Sequence, residues 1–295
     1  MHPANSVIAF TTLSGFGFGL MFYLGFGATN FEGGWMAFWF CLMAALPAIA
    51  GLLASTFHLG HPERAIKAFS QWRSSWLSRE GVVAVATLVS FALYGFLWVF
   101  FDTRIWILGA ISAILAALTV FCTAMIYTQL KTVPRWNSAL TPLKFMLFSL
   151  ALPAMVAMEP RLAFGYLIVL AIVQVLHWRQ GDNGLKDRGH TPESATGLGH
   201  IGKVRLLEAP HSGPNYLMKE MVFKVGRNRS GQLRLITMVF GFALPILITF
   251  LWLTGAFSHW MILVAVLSQF AGTIASRWLF FAEAEHSVSL YYGNR

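Results

Sequence analysis

Long apolar runs alternate with short charged breaks along this chain, over about residues 5–27, 35–57, 81–101, 105–127, 143–158, 162–178, 235–254 and 260–282. Runs of about 20 apolar residues span the hydrocarbon core of a bilayer as helices. The pattern predicts an all-α, polytopic membrane protein with eight transmembrane helices in one integral-membrane domain covering residues 1–295. Breaks at Asp102-Thr103-Arg104 and Glu159-Pro160-Arg161 leave room only for tight antiparallel hairpins. Residues 179–233 differ: they are rich in Gly, His and charge and too long for a simple connection. They read as an extended cytoplasmic loop inserted between helices six and seven. Within that loop Leu217, Met221 and Val225 recur at helical spacing beside Lys219 and Lys224, the pattern of a short amphipathic helix. Gly15, Gly17, Gly19, Gly25 and Gly27 give the first run a smooth face for close packing. No Lys or Arg precedes that run and no small-residue cleavage site follows it, so it reads as a retained span. Pro47 in the second run is tolerable as a kink inside a bundle.

Composition agrees with this class, since 57% of residues are apolar and 11% charged, against about 25% charged in soluble domains. Cys41 and Cys122 lie inside apolar runs with no CxxC pair, which argues against a disulfide framework or an iron-sulfur cluster in this chain. The net charge of +9 is distributed as a membrane-orientation signal and not as a nucleic-acid-binding patch. With eight spans, both termini share a face with the breaks near 58–80, 129–142 and 179–234. That face carries Arg64, Lys67, Arg73, Arg79, Lys131, Arg135 and the cations of the long loop; the opposite breaks offer Arg104 and Arg161. The cation-rich face is expected to be cytoplasmic.

Chemistry concentrates between Phe57 and Glu80, reading FHLGHPERAIKAFSQWRSSWLSRE. His58 by itself reads as an interfacial residue that wets its polar tip in the headgroup region. Together with Arg64 and Glu80 at one membrane edge it offers what quinone chemistry needs: hydrogen-bond partners for two carbonyls, a proton acceptor and a route to water. His58 and His177 end different spans on one face and invite an axial haem pairing, but no histidine lies deep in an apolar run, so haem is not expected. Arg277 lies inside the eighth run, where a charge either faces a cavity or partner or snorkels to the edge. Gly197 to Gly202 matches GxGxxG but lacks the strand and βαβ context of a dinucleotide site. Glu283, Glu285 and His286 read as a polar surface of the tail and not as metal ligands, and no metal site is expected.

Three stretches carry a family resemblance: His58-Leu59-Gly60-His61-Pro62-Glu63-Arg64-Ala65 running on to Ser78-Arg79-Glu80, Tyr127 to Pro142 around Thr132-Val133-Pro134, and Arg277 to Phe281. In these the chain resembles the DmsC branch of NrfD-like quinone-interacting proteins, the membrane anchor of dimethyl sulfoxide reductase and its relatives. The resemblance implies a haem-free subunit of the bacterial inner membrane that exchanges electrons between quinone (ubiquinone or menaquinone) and an iron-sulfur subunit. A molybdopterin catalytic subunit is wired to it through that iron-sulfur subunit. The resemblance places His58, Arg64, Glu80 and Arg277 at the quinone site and leaves His286 without a role. The basic residues here accompany the motif edge, unlike in the reductase anchor, and that implies cytoplasmic partner subunits as in membrane-bound sulfite dehydrogenases.

The reading is therefore a quinone-reducing anchor, with His58 and Glu80 transferring protons, Arg64 holding a quinone oxygen, and both termini and the His58 to Glu80 segment cytoplasmic. Membrane lipid surrounds it and no nucleic acid is involved. One alternative is an anchor that oxidises quinol for a sulfoxide or polysulfide reductase. Others are a secondary transporter, for which paired repeats and mid-membrane charges are lacking, and a purely structural tether.

Overall fold

Away from water a backbone must satisfy its own N–H and C=O groups, and the helix does so within one segment. The structure, a computed structural model, describes residues 2–29, 32–57, 61–208, 213, 229–256 and 260–292. It is all-helical, with no strand among the described residues. The long helices are α1 (Asn5–Gly25), α2 (Trp35–Thr56), α3 (Trp76–Phe101), α4 (Trp106–Thr128), α5 (Leu140–Val156), α6 (Pro160–Asp182), α7 (Ser230–Leu253) and α8 (Met261–Ala282). Seven of these are long and apolar enough to cross a membrane. The exception is α5, apolar but 17 residues long, which at 1.5 Å per residue reaches about 25 Å. α7 contains a π-helical turn at Val239–Ala243.

α1 is the centre of the bundle and packs against α2, α4, α5 and α8. Lipid gives apolar helices no hydrophobic reason to associate, so close backbone approach has to supply the attraction. Gly17 meets the backbone of Ala44 and Ala48 on α2, and Gly25 meets Gly109 of α4. The contact with α5 has a further cause. Pro153 has no N–H, so the carbonyl of Ser149 one turn earlier has no helical donor. That carbonyl lies against Gly19, where any Cβ would collide with it. Tyr23 Oη completes the seam by donating to the Leu150 carbonyl at 3.1 Å. Gly27 serves differently, as a left-handed turn residue with φ of 74° just after α1. α2 is the reverse case, with Trp35, Trp39, Leu46 and Leu53 all exposed on its outer side.

The hairpin after α3 closes as its length demands. Asp102 takes the left-handed conformation that ends the helix, and its Oδ1 accepts from the Gly33 N–H at 2.5 Å. Arg104 lies over the Trp98 ring at 4.1 Å and donates to the Thr29 carbonyl. These contacts pin the α1–α2 and α3–α4 connections at one end of the bundle.

The other end is held by ions. Arg135, between α4 and α5, donates from Nη2 to Asp182 Oδ1 at 2.6 Å, from Nη1 to Glu283 Oε2 at 3.3 Å and from Nε to the Glu283 carbonyl. Arg234 near the start of α7 binds the same two carboxylates, with Nε 2.7 Å from Glu283 Oε1 and Nη2 2.6 Å from Asp182 Oδ1. Two arginines and two carboxylates thus close a ring that joins the α4–α5 connection, the end of α6, the start of α7 and the end of α8.

This ring corrects two expectations. Glu283 is not a solvated tail residue but a buried member of the ring. The loop after α6 is shorter than 179–233 at both ends: α6 continues to Asp182, which both arginines hold, and α7 begins at Ser230. Two short helices, Gly184–Asp187 and Pro192–Thr196, occupy its described part, and the left-handed Gly197 of the GxGxxG match ends the second. The amphipathic segment Asn215 to Val225 lies outside the described residues.

Two tests follow from this packing. Gly19→Val is expected to destabilise the chain by at least about 1–3 kcal/mol, the scale of overpacking, read as a lower unfolding temperature in detergent. Arg135→Ala leaves Arg234 on both carboxylates, so the expected loss is about 1–3 kcal/mol, below the full cost of stripping a buried pair. An unchanged unfolding temperature in either variant would contradict the contact assigned to it.

Candidate functional site

The charged hinge begins as a 3-10 helix at Pro62–Phe69, turns through Gln71–Ser74, and enters α3 earlier than the apolar pattern suggests. Ser75 caps α3, accepting from the Ser78 N–H at 3.5 Å. Arg79 and Glu80 are therefore helical and not part of the connection. Arg79 folds back over the Trp76 ring at 4.4 Å and donates to the carbonyls of Trp72 and Arg73, while Ser78 Oγ donates to the Ala68 carbonyl. These bonds lash the hinge to the first turns of α3.

Glu80 points inward and is buried, and Thr123 of α4 donates its hydroxyl to Glu80 Oε1. A carboxylate has about four lone-pair sites, so one hydroxyl leaves it free to engage more donors. Thr119, one turn along α4, meets Thr87 of α3 at 3.0 Å between hydroxyl oxygens. Tyr127, one turn the other way, is within electrostatic reach of both Glu80 and Arg277. Its ring is enclosed by Trp136, Phe145, Phe280 and Phe281 at centroid distances of 5.4–5.7 Å. Trp136 secures that box by donating from Nε1 to the Phe280 carbonyl at 2.8 Å.

Two cations pack against the rings of this box. Arg277 is 2% exposed, with its guanidinium 3.6 Å from the Phe145 ring centroid and 5.2 Å from that of Phe148. It faces inward from α8 and does not snorkel. Lys144, 1% exposed, places Nζ 3.4 Å from His177 Nδ1 and 4.8 Å from the Phe280 ring centroid. His177 Nε2 is 3.3 Å from Thr141 Oγ1, whose hydroxyl also donates to the Trp136 carbonyl. This assigns the ring a neutral form, with Nε2–H donating to Thr141 and Nδ1 accepting from Lys144. Both ring nitrogens thus have partners within the bundle.

The four residues singled out from sequence are distributed unevenly. Glu80 and Arg277 both lie buried inside the bundle. Arg64 sits on the hinge with its side chain 64% exposed and Nε 3.9 Å from Glu63 Oε1, and the same glutamate oxygen is 2.9 Å from His61 Nδ1. His58 lies outside the described residues. Lys144 and His177 are additions. A lysine at the start of one apolar run and a histidine at the end of another were visible signals, but their pairing is a contact between helices. His286 has a local role: its Nδ1 accepts from the Val288 N–H at 3.1 Å, and partial burial lowers its pKa below the usual imidazole value. The adjoining Ser287 N–H donates to the Thr132 carbonyl and so docks the tail on the α4–α5 connection. Among the described residues no cluster of three or more His, Cys, Asp or Glu side chains is placed to hold a metal ion.

Comparison with known proteins gives this geometry a context. No solved structure matches the chain. A sulfite dehydrogenase subunit of Allochromatium vinosum is 33% identical to it over 99% of each chain. The family model described as the DMSO reductase anchor subunit matches residues 4–293, nearly end to end. A multi-pass helical membrane chain that matches an anchor-subunit model over its whole length, and a sulfite dehydrogenase subunit over the same length, is an anchor subunit of an oxidoreductase complex: the chain belongs to the DMSO reductase anchor subunit (DmsC) family.

Proposed function

We propose that this chain is the quinone-reactive anchor of a sulfite dehydrogenase-type complex, taking electrons from an iron-sulfur subunit that is served by a molybdopterin catalytic subunit. The observation that carries the reading is Glu80, a carboxyl group buried at the hinge end of a membrane helix with one hydroxyl donor and capacity for more. A buried ionisable group in a span is costly and marks a functional site. The end-to-end similarity to a sulfite dehydrogenase subunit supports the choice of complex.

Quinone, ubiquinone or menaquinone, would place its head group at the corner between the hinge and the first turns of α3. When bound it supplies a two-electron, two-proton acceptor. Glu80 and His58 hold and move protons there, and Arg64 binds a quinone oxygen from the hinge. Arg277 acts from inside the bundle, holding positive potential on the site without reaching the rim. In this reading α5, at the short end of the usual range of about 17–25 residues, spans as well and brings the number of spans to eight. The cation-rich end, where Arg135, Arg234 and the hinge gather, faces the cytoplasm of a bacterial inner membrane. Protons enter from that side, so quinone reduction is nearly electroneutral.

The family description favours one second reading, the same site run in reverse to oxidise quinol for a reductase. The direction follows from the potentials of the partner centres. Inside-out vesicles containing the complex distinguish the two, with quinone reduction on adding sulfite expected. Glu80→Gln and His58→Ala, in complexes of verified assembly, are expected to lower quinone turnover by at least about 10²-fold, the scale of a lost general acid or base. Wild-type turnover in both variants would refute the site. Quinol oxidation on adding a sulfoxide would keep the site and reverse the flow.

A further inference from the structure

Arg277 lines a small cavity between α1, α5 and α8. The cavity measures about 10 Å³, and its lining includes Thr11, Thr12, Gly15, Ser149 and Thr273 together with Arg277. Arg277 Nε and Nη1 are buried with no hydrogen-bond partner among the described residues, and the same holds for Thr12 Oγ1. The stacking on Phe145 and Phe148 attracts the face of the guanidinium, whereas its N–H groups lie in the plane and need acceptors. Three unanswered polar atoms beside one cavity are a binding site in want of a small partner.

Size and hydrogen-bond polarity identify that partner. A cavity of this volume is at the lower limit for one water and too small for a polyatomic ion. The choice between water and a monatomic anion follows from the hydroxyls. Thr11 Oγ1 donates to the Val7 carbonyl at 2.9 Å, Ser149 Oγ to the Met146 carbonyl at 2.8 Å and Thr273 Oγ1 to the Gln269 carbonyl at 2.7 Å. Their hydrogens are committed to the helices, so what they have left to offer is lone pairs. Thr12, whose hydroxyl is unpartnered, can donate or accept, but an anion would also meet the lone pairs of the other three, whereas a water accepts from Arg277 and donates to hydroxyl oxygen. We propose that Arg277 and Thr12 hold one structural water in this cavity, which solvates the guanidinium inside the bundle and links α1 to α8. The site is independent of the quinone reading and stands or falls without it.

The direct test is a cryo-EM map of the assembled complex at a resolution that shows ordered waters. One discrete peak about 3 Å from both Arg277 and Thr12 is expected; a cavity without a peak would overturn the proposal. Unfolding temperatures of Thr12→Val, Arg277→Met and the double variant supply a second readout. A shared water makes the double variant lose less than the sum of the single losses, and strict additivity would count against it. Should Arg277→Met fail to assemble, Thr12→Val alone still decides between water and halide. Its loss is expected to be equal in chloride and in gluconate, and a loss confined to chloride would show a bound halide instead.

Discussion

Arg135 is the charge on which one end of this bundle closes. It stands between Asp182 and Glu283, and Arg234 repeats both contacts from a fourth segment. Any one of these groups left alone so near the membrane would carry a desolvation cost that a single partner barely offsets. The ring resolves this by giving each ion two opposite neighbours. The ends of α6 and α8 are thereby fixed against the connection that leads into α5. Those are the helices that present His177, Arg277 and Lys144 to one another.

The rest of the bundle rests on contact rather than charge. Helices in lipid gain little from hiding apolar side chains, so they associate where backbones come close and where polar groups find partners across the interface. α1 does both: its glycines admit α2, α4 and α5, and Tyr23 and Tyr94 tie it to α5 and α3 through the carbonyls of Leu150 and Leu24. Pro153 contributes by freeing a carbonyl that only a glycine can approach. A helix-breaking residue in a span is here a packing device.

The polar groups at this end of the bundle then divide by their surroundings. The hinge and its cations lie at the edge, exposed to solvent. Glu80 is buried and held by Thr123, and Tyr127 lies beside it. Lys144, His177 and Arg277 lie against the aromatic box, and their nearest neighbours are rings and hydroxyls.

The sequence alone determined the class, the helices and the family. Runs of about 20 apolar residues have one solution in a bilayer, and the hinge and Tyr127 to Pro142 stretches are local strings that need no folding to be recognised. It also marked Arg277 as a charge out of place and Glu80 as the end of the charged hinge. The tertiary structure alone decided their surroundings, because a hydrogen bond from Thr123 to Glu80 spans 43 residues and the pairing of Arg135 with Glu283 spans 148. Helix ends moved for the same reason: α6 runs on to Asp182 because two distant arginines hold it, and α3 starts at Trp76 because Ser75 and the folded hinge cap it. Apolar periodicity records which residues avoid water, but the partners of buried charges are set by how helices far apart in the chain come to lie side by side.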